Sequence, residues 1–124
     1  MTPFFKIDFG GISRTVFLVG PWAFKFPTAR YGWAKFLAGL LANMQETTFS
    51  RARWPELCPV LASVPGGFLV VMPRVRVMTD EEFERFDYLG FVWTPDGDRQ
   101  VPVEAKSDSF GWLDGRVVAI DYGN

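Results

Sequence analysis

Asp121 has the clearest capacity for chemistry in this sequence. It ends the stretch Arg116-Val117-Val118-Ala119-Ile120-Asp121-Tyr122-Gly123, in which four consecutive apolar residues lead into a single carboxylate. Asp114-Gly115 marks a tight hairpin turn just before the stretch and Gly123 ends it, so Val117 to Ile120 is expected as a buried strand. A carboxylate leaving water at the end of such a strand needs a lysine, backbone amides or a metal ion as partner. The plainer alternative is an aspartate that caps a turn into Tyr122-Gly123.

Other reactive residue types are scarce. The chain has no histidine and one cysteine, Cys58. Set between Leu57 and Pro59 with no imidazole to activate it, Cys58 reads as a small buried hydrophobe rather than a nucleophile. It cannot form an internal disulfide, which fits a reducing compartment, and the same inventory excludes the usual zinc sites. Asp96-Gly97-Asp98 lacks the spacing and the later ligands of a calcium loop. Thr79-Asp80-Glu81-Glu82 is acidic enough to resemble a metal site, but it has the form of a capping box opening a short helix through about Phe86.

The elements that must position Asp121 follow from composition and pattern. At 124 residues, 48% hydrophobic and 22% charged, the chain has the apolar content for one core and the expectation is one domain. A formal net charge of −1 argues against a nucleic-acid partner. No basic stretch followed by an apolar run opens the sequence and no run reaches membrane-spanning length, so no membrane association and a cytoplasmic location are expected.

Phe4 to Phe9, Thr15 to Val19 and Trp22 to Phe26 read as three strands of a meander, broken at Gly10-Gly11 and Gly20-Pro21. Thr28 is the expected N-cap of a long helix ending near Glu46, with Trp33, Phe36, Leu37, Leu40, Leu41 and Met44 on one stripe. Gly32, Lys35, Gly39, Ala42 and Glu46 lie roughly opposite, and glycine inside a helix costs about 1 kcal/mol against alanine, so something is expected to pass close to that face. Either the helix is sandwiched within its own domain with Glu46 inward, or the small-residue face is a docking groove.

Val60 to Ser63 and Phe68 to Met72 make a hairpin across Val64-Pro65-Gly66-Gly67, and Phe91 to Thr94 with Gln100 to Glu104 another across Pro95-Asp96-Gly97-Asp98. The expected fold class is α+β. An antiparallel five-stranded sheet packs on one long helix, followed by a reduced second part of one short helix and two hairpins.

An ordered set of motifs carries a resemblance. Asp121-Tyr122-Gly123 after its strand, Trp22-Ala23-Phe24-Lys25 on the third strand, Gly10-Gly11-Ile12-Ser13-Arg14-Thr15-Val16 between the first two, and Phe68-Leu69-Val70-Val71-Met72-Pro73 resemble, in order, elements of the protein-kinase-like folds. The resemblance implies a small-lobe-like part over 1–73 and a reduced large-lobe-like part over 74–124. It implies Lys25 as the phosphate-binding lysine, Glu46 as its glutamate partner, Gly11 in the glycine-rich loop and Asp121 as the magnesium ligand, with ATP and magnesium as cofactors.

The departures from the pattern govern the expected activity. Phe9 and Arg14 stand where the outer two loop glycines belong. The catalytic-loop positions fall on Glu104, as base, and Ser109, where the family has asparagine. With Asn124 as the last residue, no length is left for an activation segment. A degenerate domain without phosphotransfer, acting as a protein-binding module, is therefore expected. The alternatives are a small inhibitor of a host protein encoded by a phage or mobile element, and a residual ATP-binding or phosphotransfer protein using Glu104 and Asp121.

The expected partner is a protein, with nucleotide and a homodimer as further possibilities. The 13 Phe, 5 Trp and 3 Tyr outnumber what so short a domain encloses. Trp93 and Trp112, each in an expected hairpin, are the expected contact residues.

Overall fold

Strands form where β-branched and aromatic residues gather between turns bearing Gly or Pro. The computed structural model describes residues 5–8, 14–93, 100–101 and 103–122. Its first strands are β1 (Phe5–Asp8), β2 (Arg14–Val19), β3 (Trp22–Pro27), β4 (Ala62–Val64) and β5 (Leu69–Pro73). They pair antiparallel in the order β1-β2-β3-β5-β4. The helix α1 (Trp33–Ser50) connects β3 to β4 and packs mainly on β3. The expected α+β architecture of one antiparallel five-stranded sheet and one long helix is present.

The second part is built on a three-stranded sheet, β6 (Arg76–Val77), β7 (Phe110–Leu113) and β8 (Arg116–Ala119), paired in that order. The turn joining β7 to β8 places Asp114 at φ 52° and Gly115 at φ 81°, the pair of left-handed residues that a two-residue hairpin turn demands. Between β6 and β7 lie two short α-helices, α2 (Asp80–Glu84) and α3 (Tyr88–Val92), and a 3-10 turn at Ser107–Ser109. Thr79 caps α2 in a full capping box: its side chain accepts from the Glu82 amide, and the Glu82 carboxylate accepts from the Thr79 amide. Arg76 grips the same carboxylate with its two terminal guanidinium nitrogens, at 2.9 and 2.8 Å, and this pairing holds the Glu82 carboxyl down at about 2.

Two expectations are corrected. Gly32, not Thr28, precedes the first turn of α1, because the Thr28 hydroxyl is committed to Thr15 at 2.8 Å and a separate turn at Arg30 and Tyr31, closed by the Gly32 amide donating to the Ala29 carbonyl at 3.4 Å, comes before the helix. Phe91 and Val92 belong to α3 rather than to a strand, since the Asp87 side chain accepts from the Gly90 amide and starts a helical turn there. What remains of that hairpin among the described residues is one bridge between Trp93 and Gln100, its tip at 94–99 lying outside them.

The face of α1 settles the choice left open by its pattern, in favour of a helix sandwiched within its own domain with Glu46 inward. Gly39, Ala42, Asn43 and Glu46 are its buried residues, while Trp33, Leu37, Leu41 and Met44 of the apolar stripe are exposed. Small residues face inward because backbone must pass there. A Cβ on Gly67, which sits at φ 82°, would come within 2.1 Å of the Leu40 carbonyl oxygen. The turn between β4 and β5 thus lies directly against the helix backbone, and the bulky side chains are left on the far side.

The apolar core is shared by both sheets. Val70 and Met72 of β5 meet Phe110 of β7 and Val118 and Ala119 of β8, together with Leu57, Cys58, Met78, Val92, Val101, Val103 and Tyr122. Phe83, Phe86, Tyr88 and Phe91 ring Phe110, with centroids 5.9, 5.0, 6.1 and 5.3 Å from it. This cluster absorbs many of the aromatics, and each full burial of such a side chain contributes about 1.5–3 kcal/mol. Cys58 is part of the core, where burial pushes its thiol up to about 11 and leaves it unreactive.

Candidate functional site

Strand alternation aims two cations at one point. Lys25 stands opposite Val16 of β2 and Val70 of β5, so it shares the inward face with them, and Arg14 lies two residues before Val16 on that same face. Both side chains are buried, as are Ala23, Val70 and Met72 beside them. Glu46, fully buried, comes down from the small-residue face of α1, and Asp121 arrives just past the end of β8.

The four charges meet. Arg14 grips Glu46 with both ends of its guanidinium, Nη1 to Oε1 at 2.6 Å and Nη2 to Oε2 at 3.0 Å, while Nη2 also donates to Asp121 Oδ1 at 2.6 Å. Lys25 Nζ donates to both Glu46 oxygens, at 3.1 and 3.3 Å, and to the carbonyl oxygen of Ile120. The Tyr122 amide adds a further donor to Glu46 Oε2 at 3.2 Å. Asn43 completes the cluster. Its amide nitrogen donates to the Lys25 and Gly67 carbonyls at 3.0 and 2.8 Å, and its oxygen accepts from Arg14 at 3.2 Å.

The electrostatics follow from burial and pairing. Burial pushes the Glu46 carboxyl upward, but Lys25 and then Arg14 outweigh it and hold the group below its ordinary value. Lys25 moves the other way: burial, opposed by Glu46 and aided by repulsion from Arg14, lowers its pKa. For Arg14 the attraction of Glu46 and Asp121 overcomes burial and raises the value further. Two cations and two carboxylates leave the cluster formally neutral. Asp121 is the member that reaches solvent, with 29% of its side chain exposed.

The sequence-based candidates divide accordingly. Lys25, Glu46 and Asp121 converge, and Lys25 pairs with Glu46 directly, as the arrangement with Glu46 turned inward requires. Gly11 lies outside the described residues. Glu104 does not join the cluster: it is exposed and pairs with Lys106 at 3.3 Å. Lys106 in turn lies near enough to Asp121 for that carboxylate to add to the upward shift caused chiefly by Glu104 and Asp108. Ser109 is buried; its carbonyl accepts from the Ile120 amide at 2.9 Å, and its hydroxyl has no partner among the described residues.

Of the two tryptophans, Trp93 is half exposed, whereas Trp112 is partly covered by the Arg76 guanidinium 5.4 Å above its ring. Sequence reasoning passed over Arg14 and Asn43 as members of the site. The available signals were the inward register of Arg14 on β2 and the position of Asn43 beside Ala42 on the small-residue face.

These residues do not suit a magnesium nucleotide as they stand. The donors of Lys25 and the acceptors of Glu46 are used within the cluster, and Asp121 Oδ1 is taken by Arg14. Among the described residues no group of three or more His, Cys, Asp or Glu side chains is placed to hold a metal ion. No helix among them is long and apolar enough to cross a membrane. No protein-family model, curated protein or solved structure matches the chain.

Proposed function

We propose that this chain is a degenerate kinase-like domain that transfers no phosphate and works by holding a protein partner. The observation that carries the reading is the orientation of α1, which turns Trp33 (74% exposed), Leu37 (52%), Leu41 (52%) and Met44 (44%) to solvent. These positions recur at helical spacing along one side, the pattern by which a helix lies in an apolar groove. Apolar side chains aligned on one exposed face mark an interaction surface rather than the scattered exposure of an ordinary exterior.

The kinase-like part of the proposal is supported by the Lys25 to Glu46 pair between the third strand and the helix that follows it. Loss of transfer is supported by the same cluster, whose charges satisfy one another, and by Glu104 lying apart from it. The partner is a protein with an apolar groove of helical length.

Cross-linked capture from the native cell extract tests this. Wild type and Trp93→Ala should recover one and the same specific protein, and Leu37→Asp/Leu41→Asp should lose it while keeping its circular dichroism. Equal recovery by that double variant, or a wild type that sediments as a monomer and recovers nothing, overturns the proposal.

A further inference from the structure

Arg14 occupies the centre of the cluster. Four of its N–H bonds are spent there, on Asn43 Oδ1 at 3.2 Å, on the two oxygens of Glu46 at 2.6 and 3.0 Å, and on Asp121 Oδ1 at 2.6 Å. Those are four oxygens from three side chains, gathered around one positive centre. Oxygen-rich surroundings of this kind also suit a hard divalent cation, and a magnesium-like ion needs only one or two carboxylates because it keeps several of its waters.

We propose that Arg14 is a tethered cation holding the place between Glu46 and Asp121 that a divalent cation would otherwise take, so that the cluster refuses such ions until the guanidinium is removed. The tether makes the occupant permanent. A guanidinium does not deprotonate in any physiological range, so no ordinary pH opens the site. Its planar fork also fits both carboxylates at once, which a hydrated ion must match before displacing it.

Without Arg14 the neutral cluster becomes negative. Lys25 alone then faces two carboxylates, the Asn43 and Asp121 oxygens lose their donor, and the solvent-exposed side of Asp121 provides a way in. This inference rests on the cluster alone and stands whether or not α1 binds a partner.

Manganese ion is the probe, read by paramagnetic broadening of backbone amide resonances. In wild type, millimolar manganese should leave the amides of Glu46 and Tyr122 no more broadened than the rest. In Arg14→Gln the same amides should broaden selectively and saturably, with affinity raised by more than about tenfold, the scale on which one neighbouring group alters metal binding. Adding Asp121→Asn to Arg14→Gln should abolish the effect.

Selective broadening in wild type, or a folded Arg14→Gln that responds no more than wild type, overturns the proposal. Should Arg14→Gln be unfolded without metal, folding itself becomes the readout, since a ligand that binds only the native state restores it. Recovery of the native circular dichroism on adding manganese then supports the proposal, and failure to recover counts against it.

Discussion

The inner and outer faces of α1 invert the usual partition of side chains. Inward lie Asn43 and Glu46 among Gly39 and Ala42; outward lie Trp33, Leu37, Leu41 and Met44. A surface helix ordinarily buries its apolar stripe and leaves its polar one in water. Here the buried side is held by ion pairs and backbone approach. The two faces therefore have different tasks, one fixing the helix and the other facing outward with nothing from the described residues to cover it.

The largest expected effect breaks the inner face. Glu46→Ala leaves Arg14 and Lys25 buried with no carboxylate between them, and removing one partner of a buried ion pair costs about 3–5 kcal/mol. Urea unfolding should register that loss as a lower midpoint with an unchanged slope. A change below about 1 kcal/mol would mean that the cluster is not what holds α1 in place.

Acid should reveal the same contribution more gently. Because the Glu46 carboxyl is held below its ordinary value, its stabilisation is complete above the unfolded-state pKa of about 4.3 and is lost as pH falls through the lower folded value. Stability against urea should thus be flat near neutrality with respect to this group and decline below about pH 4.5. Glu82 also titrates in acid, but it is a surface group paired with Arg76. Glu82→Gln should leave most of the acid decline in place, and its disappearance in that variant would assign the decline to the wrong carboxylate.

The smallest effect is expected on the outer face. Leu41→Ser should change stability by no more than about 0.5 kcal/mol, since its side chain leaves little native contact behind. A loss of several kcal/mol in the isolated protein would show that this face is already covered, by another copy of the chain, and sedimentation of the same sample would reveal the dimer.

Much of this fold was legible because its signals are local. Asp114-Gly115 gives a hairpin turn, Thr79 to Glu82 gives a capped helix, and the three glycine- and proline-punctuated runs before Thr28 give strands. The orientation of α1 was not local in that sense. Side-chain apolarity favours burying Leu37 and Leu41, and the decision against it lies in the turn at Gly67, which is distant in sequence but touches the Leu40 backbone. Phe91 and Val92 misled for a related reason: their β-forming side chains outweighed the single Asp87 cap that makes the segment helical.

The site was legible in part. Lys25, Glu46 and Asp121 are each recognisable by type and by place in the order of elements. Arg14 was not, because a charged residue at the start of a strand ordinarily snorkels to water, and only the register of β2 against β3 turns it inward. Asn43 was hidden by the same logic, as a polar residue whose three hydrogen bonds come from β2, β3 and the turn beyond β4.

The contact between Arg14 and Asp121 has a consequence in time. It joins positions 107 residues apart, whereas Lys25 and Glu46 are separated by 21. Loop-closure entropy grows only with the logarithm of length, so the distant contact adds little to the equilibrium cost, but contacts between remote parts of a chain slow the search for the native state. The pairing of Lys25 with Glu46 is available as soon as β3 and α1 exist. Arg14 meets its second carboxylate only once β8 is in place, so the segment Ile120 to Tyr122 is expected to close over the charges late, and until it does two cations face Glu46 alone.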